Sequence, residues 1–125
     1  MPHVYSYAVV RLVPRVERQE FVNIGVLVYC HALRYLKAVL EPDRERIKSL
    51  FPSFDFSDIE SDLPAFVDQA AGIGGSPIAQ LSPSERFHWL AAVRSTVLQL
   101  SPTHTGVCDD LDACVQRLLD QQVRA

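Results

Sequence analysis

Residues 21–30 read FVNIGVLVYC, and this segment decides the fold. β-Branched and aromatic residues dominate it, which favours a central strand buried on both faces of a sheet. Simple alternation predicts that one face of this strand consists of Val22, Ile24, Val26 and Val28. Asn23 and Gly25 then lie on the opposite face, where the glycine leaves a shallow gap. A bulge or a closely packed helix is the favoured explanation for this glycine, and a ligand notch is the alternative.

Neighbouring apolar segments supply partners for this strand. In residues 4–13 both sets of alternate positions are largely apolar, with Arg11 as the exception. Residues 33–41 follow a tight link and have the alternating side-chain pattern of a further strand. Residues 95–100 have the β-branched alternation of a fourth strand, and we expect residues 101–106 to form a loop. Together these segments predict a mostly antiparallel four-stranded sheet.

Helix signals occupy most of the remaining chain. Asp43 caps a short helix through residue 50, and a Ser57-to-Glu60 capping box starts a second helix to about residue 71, which Pro64 kinks or splits. Ser82 followed by Pro83 and Glu85 starts a third helix, and Asp109 or Asp110 caps the last. We therefore expect an α+β fold over residues 1–125, one domain with helices packed chiefly on one face of the sheet.

Composition limits the function classes. The chain has 125 residues, of which 48% are hydrophobic, and a formal net charge of -3, which gives no general attraction to nucleic acid. Its three cysteines form no paired framework and the N-terminus lacks a signal-peptide pattern, so we expect a cytoplasmic protein. Membrane insertion is not expected, because no apolar run approaches the roughly twenty residues that span a bilayer.

Several polar residues at strand ends are candidates for an anion-binding cluster. Arginines bind phosphate or carboxylate in a bidentate manner, and hydroxyl groups add donors. The candidates are Arg11, Arg15, Asn23, Arg94, Ser95 and His104. The favoured alternative is that these arginines form structural ion pairs with acidic residues such as Glu17 and Glu20.

Other motifs point to little chemistry. His104 and Cys108 lie four residues apart, but zinc requires three or four ligands, so we predict no metal, no other cofactor and no catalytic residue. The glycines of residues 72–77 are followed by no lysine or arginine, which favours a loop over a phosphate cradle. Arg86 and Trp89 share one flank of a helix and are candidates for a partner surface.

Two long segments carry a family resemblance. YSYAVVRLVPRVERQEFVNIGVLVYC (5–30) and RFHWLAAVRSTVLQLSPTHTG (86–106), with CDD after it, resemble the bacterial family called domain of unknown function 3037. The resemblance implies no established activity. Its members are often encoded near kinases resembling HipA, which implies a protein partner.

We therefore expect a small interaction or accessory protein rather than an enzyme, with a HipA-like kinase as the implied partner. The alternative is a binder of, or an enzyme acting on, a phosphorylated small molecule through the arginine cluster. Ligand identity and oligomeric state lie outside what the sequence determines.

Overall fold

A computed structural model describes residues 2–92 and 96–124. The strands are β1 (His3–Leu12), β2 (Val22–Cys30), β3 (Tyr35–Leu40), β4 (Leu98–Leu100) and β5 (His104–Cys108). The helices are α1 (Arg44–Leu50), α2 (Asp62–Ala71), α3 (Pro83–Ala91) and α4 (Leu111–Gln122), with short 3₁₀ turns at Val16–Arg18 and Phe56–Asp58. Every strand pairing is antiparallel, so the predicted α+β class and antiparallel sheet are confirmed.

The sheet has five strands because β4 and β5 both pair with β1, one after the other along the same edge. Its order is β3-β2-β1-β4, and β5 pairs with the first half of β1. Val10 lies opposite Leu100 whereas Tyr7 lies opposite His104, so the edge strand holds one extra residue between β4 and β5. The loop predicted for residues 101–106 is therefore wrong from residue 104 onward. Pro102 interrupts the pairing because proline lacks the N–H that a ladder requires. The interruption is local, since pairing with β1 resumes at His104.

A bulge in β2 inverts its alternation. Val10 lies opposite Gly25 and Arg11 opposite Asn23, which leaves Ile24 as the extra residue. Val22 and Ile24 consequently pack in the core on one face, while Val26 and Val28 pack on the other. The prediction that these four residues share a face is wrong for this reason. The predicted bulge is confirmed next to Gly25. The close neighbour of this glycine is β3 and not a helix, because a Cβ there would collide with the Val39 carbonyl.

Two cores lie on opposite faces of the sheet. The first packs β1 and β2 against residues of α1, α2 and α3, namely Ile47, Leu63, Phe66, Ala70, Phe87 and Leu90. The second packs the other face against Leu111, Cys114, Val115, Leu118 and Leu119 of α4. Three helices on one face agree with the prediction. Within this layer α2 lies chiefly on β3, and α3 lies on β2 and β3, so the layer is offset away from β4.

The helix starts follow the capping chemistry of the sequence, with one exception. Ser82 and Glu85 form the predicted capping box, and Asp43 and Asp110 cap α1 and α4. The second helix starts at Asp62 rather than at Ser57. Pro64 therefore lies in the first helical turn, where its missing N–H costs nothing, and it neither kinks nor splits the helix.

Candidate functional site

A cleft of about 930 Å³ opens on the α1–α3 face beside β4, and we call it the β4 cleft. Its lining comes from the loop after β1, the connection between α1 and α2, one side of α2, and β4. The apolar members of this lining include Phe51, Phe54, Ile59, Phe66, Val97, Leu98 and Leu100. The cleft thus has an aromatic and aliphatic floor at the sheet edge that the helices leave uncovered.

The floor is an extension of the core on the α1–α3 face. Ile59 and Phe66 are buried members of that core, and Phe54 and Leu98 are partly buried and pack against it. The connection after α1 places the phenylalanines, because Phe51 caps α1 and Phe54 N–H donates to the Phe51 carbonyl (3.0 Å). A side chain entering the cleft would therefore contact a preformed apolar surface.

Charges surround the cleft unevenly. The charged lining residues are two arginines and four carboxylates, namely Arg15, Arg18, Glu20, Asp55, Asp58 and Asp62. Arg15 pairs with Glu17 (2.8 Å), and Arg18 pairs with Glu20, whose pKa is held below its usual value by the hydrogen bond from Arg18. In the described part of the chain, Asp58 and Asp62 have no ion pair. The rim therefore carries uncompensated negative charge.

Among the described residues, no strand pairs with the outer edge of β4. Val13 N–H donates to the Val97 carbonyl (2.6 Å) and Ser101 N–H to the Val9 carbonyl (2.8 Å). Main-chain groups alternate in direction along an antiparallel ladder, so those of Leu98 and Leu100 point away from β1. The Thr96 hydroxyl donates to the Leu98 carbonyl (2.6 Å). Three main-chain groups remain directed outward: both N–H groups and the Leu100 carbonyl.

This edge lacks the charges that usually protect exposed strands. Residues 96–108, which include β4 and β5, contain no Asp, Glu, Lys or Arg. The opposite edge strand, β3, carries Lys37 near its middle, within 3.9 Å of Asp112. Natural sheets use such edge lysines to discourage further strand pairing. The β4–β5 edge is therefore the less protected edge of this sheet.

The comparison of the sequence with protein-family models gives one match. Residues 7–123 match the family described as Protein of unknown function (DUF3037). The chain belongs to this family. The match confirms the resemblance noted from the sequence, and it includes the β4 cleft and the free edge. No curated protein and no solved structure matches the chain.

Arg11 and Asn23, two of the anion-site candidates in this DUF3037 chain, lie together on the α4 face. They are cross-strand partners in β1 and β2. The Arg11 guanidinium lies 4.1 Å from the centroid of the Phe21 ring, and Asn23 Nδ2 donates to the Gln122 carbonyl (3.0 Å) at the end of α4. Arg11 Nε and Asn23 Oδ1 are buried and have no hydrogen-bond partner among the residues that the structure describes.

Arg15 and His104, two further anion-site candidates, lie apart from this pair. Arg15 forms an exposed ion pair beside the β4 cleft. His104 lies opposite Tyr7, with ring centroids 5.4 Å apart, and Tyr7 is four residues from Arg11 along β1. Arg94 and Ser95 lie outside the described residues. The structure therefore brings together Arg11 and Asn23 from the six candidates.

The two partner-surface candidates on α3 have different environments. Arg86 donates to the Ala70 carbonyl (3.2 Å) and the Leu81 carbonyl (2.7 Å), which ties the end of α2 to α3. Trp89 is 50% exposed. Arg86 thus has an internal hydrogen-bonding role, while Trp89 presents much of its ring at the surface.

The cysteines show no sign of activation. Cys30 and Cys114 are buried and Cys108 is partly buried, and all three are free thiols in the core under α4. Burial, with a contribution from Cys114, raises the pKa of Cys108, which disfavours the reactive thiolate. Within residues 2–92 and 96–124, no group of three or more His, Cys, Asp or Glu side chains has a metal-binding arrangement. In the same ranges, no helix is long and apolar enough to cross a membrane.

The β4 cleft was not predicted from the sequence. Two features of the sequence were informative. One is the cluster of phenylalanines in the short connection after α1, and the other is the absence of charged residues from positions 96–108. Neither signal locates a cleft alone, because residues 51–54 and β4 are distant in sequence and meet only in the folded chain.

Proposed function

We propose that this chain is a protein-interaction module whose β4 cleft binds a segment of a partner protein. The observation that carries the proposal is a cleft of about 930 Å³ with an apolar floor, beside a strand edge that has no charged residue and no strand partner among the described residues. Concave sites of this size, with an apolar floor and a few polar groups around it, are typical of binding sites.

The charge distribution favours a protein segment over a small anion in this cleft. Both arginines of the lining already have a glutamate partner, so their positive charge is partly compensated. The unpaired carboxylates of Asp58 and Asp62 would repel a phosphate. An apolar segment that carries a positive charge meets neither obstacle.

The proposal also includes the location and the partner. We place the protein in the cytoplasm, where its three thiols would stay reduced. The partner that the family resemblance implies is a kinase resembling HipA, and this identity is tested by the experiment below.

Crosslinking from a defined position tests the interaction. Ala65 is an exposed residue of α2 that lines the cleft, and Ala113 is an exposed residue of α4 on the opposite face. A photo-crosslinking amino acid at position 65, in the native host, should capture a specific protein that the same probe at position 113 does not. The purified partner should then bind wild type and Ala113→Arg equally well. It should bind Ala65→Arg at least tenfold more weakly, because the arginine fills the cleft. Equal binding to both variants would reject the cleft as the interaction site.

A second candidate function, anion binding at Arg11, has a specific observation in its favour. Arg11 is partly buried, stacks on Phe21 and has no carboxylate partner among the described residues. A guanidinium is rarely shielded from water without a compensating anion. A bound anion would supply that partner.

Thermal unfolding in inorganic phosphate distinguishes this candidate. Wild type should gain melting temperature in millimolar phosphate relative to chloride at equal ionic strength, and Arg11→Met should not. Arg15→Met is the matched control, because that arginine is exposed and already paired. Equal phosphate responses of wild type and Arg11→Met would remove the anion site.

A further inference from the structure

We infer that the partner segment binds as an added β-strand along the outer edge of β4, with alternate apolar side chains in the β4 cleft and a lysine or arginine facing Asp58 and Asp62. This inference rests on the proposed function, and it specifies the binding mode and the chemistry of the partner.

The main chain of β4 offers the required hydrogen bonds. The N–H groups of Leu98 and Leu100 and the carbonyl of Leu100 point away from β1, as the observed bonds to Val13 and Val9 require. An extended peptide forms main-chain bonds to such an edge whatever its sequence. Its specificity then comes from the side chains of alternate residues.

Side-chain geometry places those alternate residues in the cleft. Leu98 and Leu100 line the cleft and pack against the core of the α1–α3 face. Residues directly opposite each other on paired strands have side chains on the same face, about 4.5–5.5 Å apart. The residues of an added strand that lie opposite Leu98 and Leu100 would therefore point into the cleft, toward Phe54 and Phe66.

The charges at the rim select the partner sequence. Asp58 and Asp62 line the cleft, are exposed and lack an ion pair in the described part of the chain. A basic side chain in the added strand would gain two nearby carboxylates, whereas an acidic one would be repelled. The expected partner segment is therefore extended, apolar at alternate positions and basic.

A displayed library of random twelve-residue peptides tests the partner chemistry. Selection on wild type, after depletion on Ala65→Arg, should enrich peptides with apolar residues at every second position and at least one lysine or arginine. Fluorescence polarisation should show binding that Asp58→Asn combined with Asp62→Asn weakens severalfold and makes less sensitive to salt. Ala113→Arg should leave the affinity unchanged.

N-methylation of the selected peptide tests the binding mode. A strand presents its N–H groups alternately to the two sides, so methylation at every second position should weaken binding about five- to tenfold, with little effect at the positions between. A uniform response along the peptide would overturn strand addition while leaving the cleft as the binding site.

Two further results would overturn the inference. One is the absence of any enriched peptide whose binding depends on the cleft, and the other is enrichment of acidic peptides. The photo-crosslinking experiment from position 65 does not depend on peptide binding, so it would still decide the proposed function separately.

Discussion

Replacing Ser101 by alanine should cost the protein about 1–3 kcal/mol of folding free energy. Ser101 lies where the edge strand changes register between β4 and β5, and it is only 5% exposed. Its hydroxyl oxygen accepts from the Val9 N–H (2.8 Å), and the hydroxyl donates to the Pro102 carbonyl (2.9 Å). A side chain thus replaces the carbonyl that a regular ladder would present to Val9. The alanine variant would leave a buried N–H facing a methyl group.

Urea unfolding at pH 7 measures this cost. The midpoint should fall without a change in the slope m, because the folded state stays compact. The melting temperature should fall by about 4 °C for each kcal/mol in a chain of this size. Ser53→Ala is the matched control and should change stability by less than about 0.5 kcal/mol, since Ser53 is exposed. A similarly small change for Ser101→Ala would refute the assigned role of the hydroxyl.

Three further predictions concern stability. Gly25→Ala should destabilise the fold by more than about 2 kcal/mol in urea titrations, because the new Cβ would lie 2.5 Å from a Leu40 side-chain atom. The control Gly75→Ala should be nearly neutral, because that position faces open space. Val26→Asp should abolish cooperative unfolding in circular dichroism, since it buries an unpaired charge, and a soluble cooperative variant would contradict that burial. A hydrogen bond from Arg124 lowers the pKa of the Glu41 carboxyl group in the folded protein. The pair therefore stabilises the fold at pH values above the unfolded pKa of about 4.3, and this contribution is lost as the pH falls through the lower folded pKa. Glu41→Gln should therefore show a shallower loss of stability in acid than wild type, and parallel pH profiles would count against the pair.

The sequence was sufficient for the fold class because local signals agreed with tertiary packing. The β-rich segment at residues 21–30 forms a strand that is buried on both faces, and the Ser82 capping box starts a helix as its hydrogen bonds require. The faces of β2 were not predictable, because a single bulged residue at Ile24 inverts every side chain on one side of it. That bulge depends on how β1 and β3 pair with β2.

The candidate site was less predictable for a related reason. A strand-and-loop interpretation of residues 95–106 treated Ser101 and Pro102 as the end of the sheet, although the chain resumes pairing with β1 two residues later. Seeing this requires knowing that the Ser101 side chain can take the place of a main-chain partner. Likewise, the spacing of Arg86 suggested a surface role, whereas Ala70 at the end of α2 and Leu81 just before α3 each offer it a carbonyl.

The position of the β4 cleft follows from the order of the elements along the chain. The three helices of one face come between β3 and β4, and α2 and α3 pack over β2 and β3, the strands that precede them. The chain then crosses to the far side of β1 and forms β4 and β5, which this helical layer does not reach. α4 follows directly and covers the opposite face. In the described part of the chain, the fold therefore leaves an apolar floor next to an edge without a strand partner. A partner strand would pair the edge and cover the floor at once, which is why strand addition accounts for both features with one event.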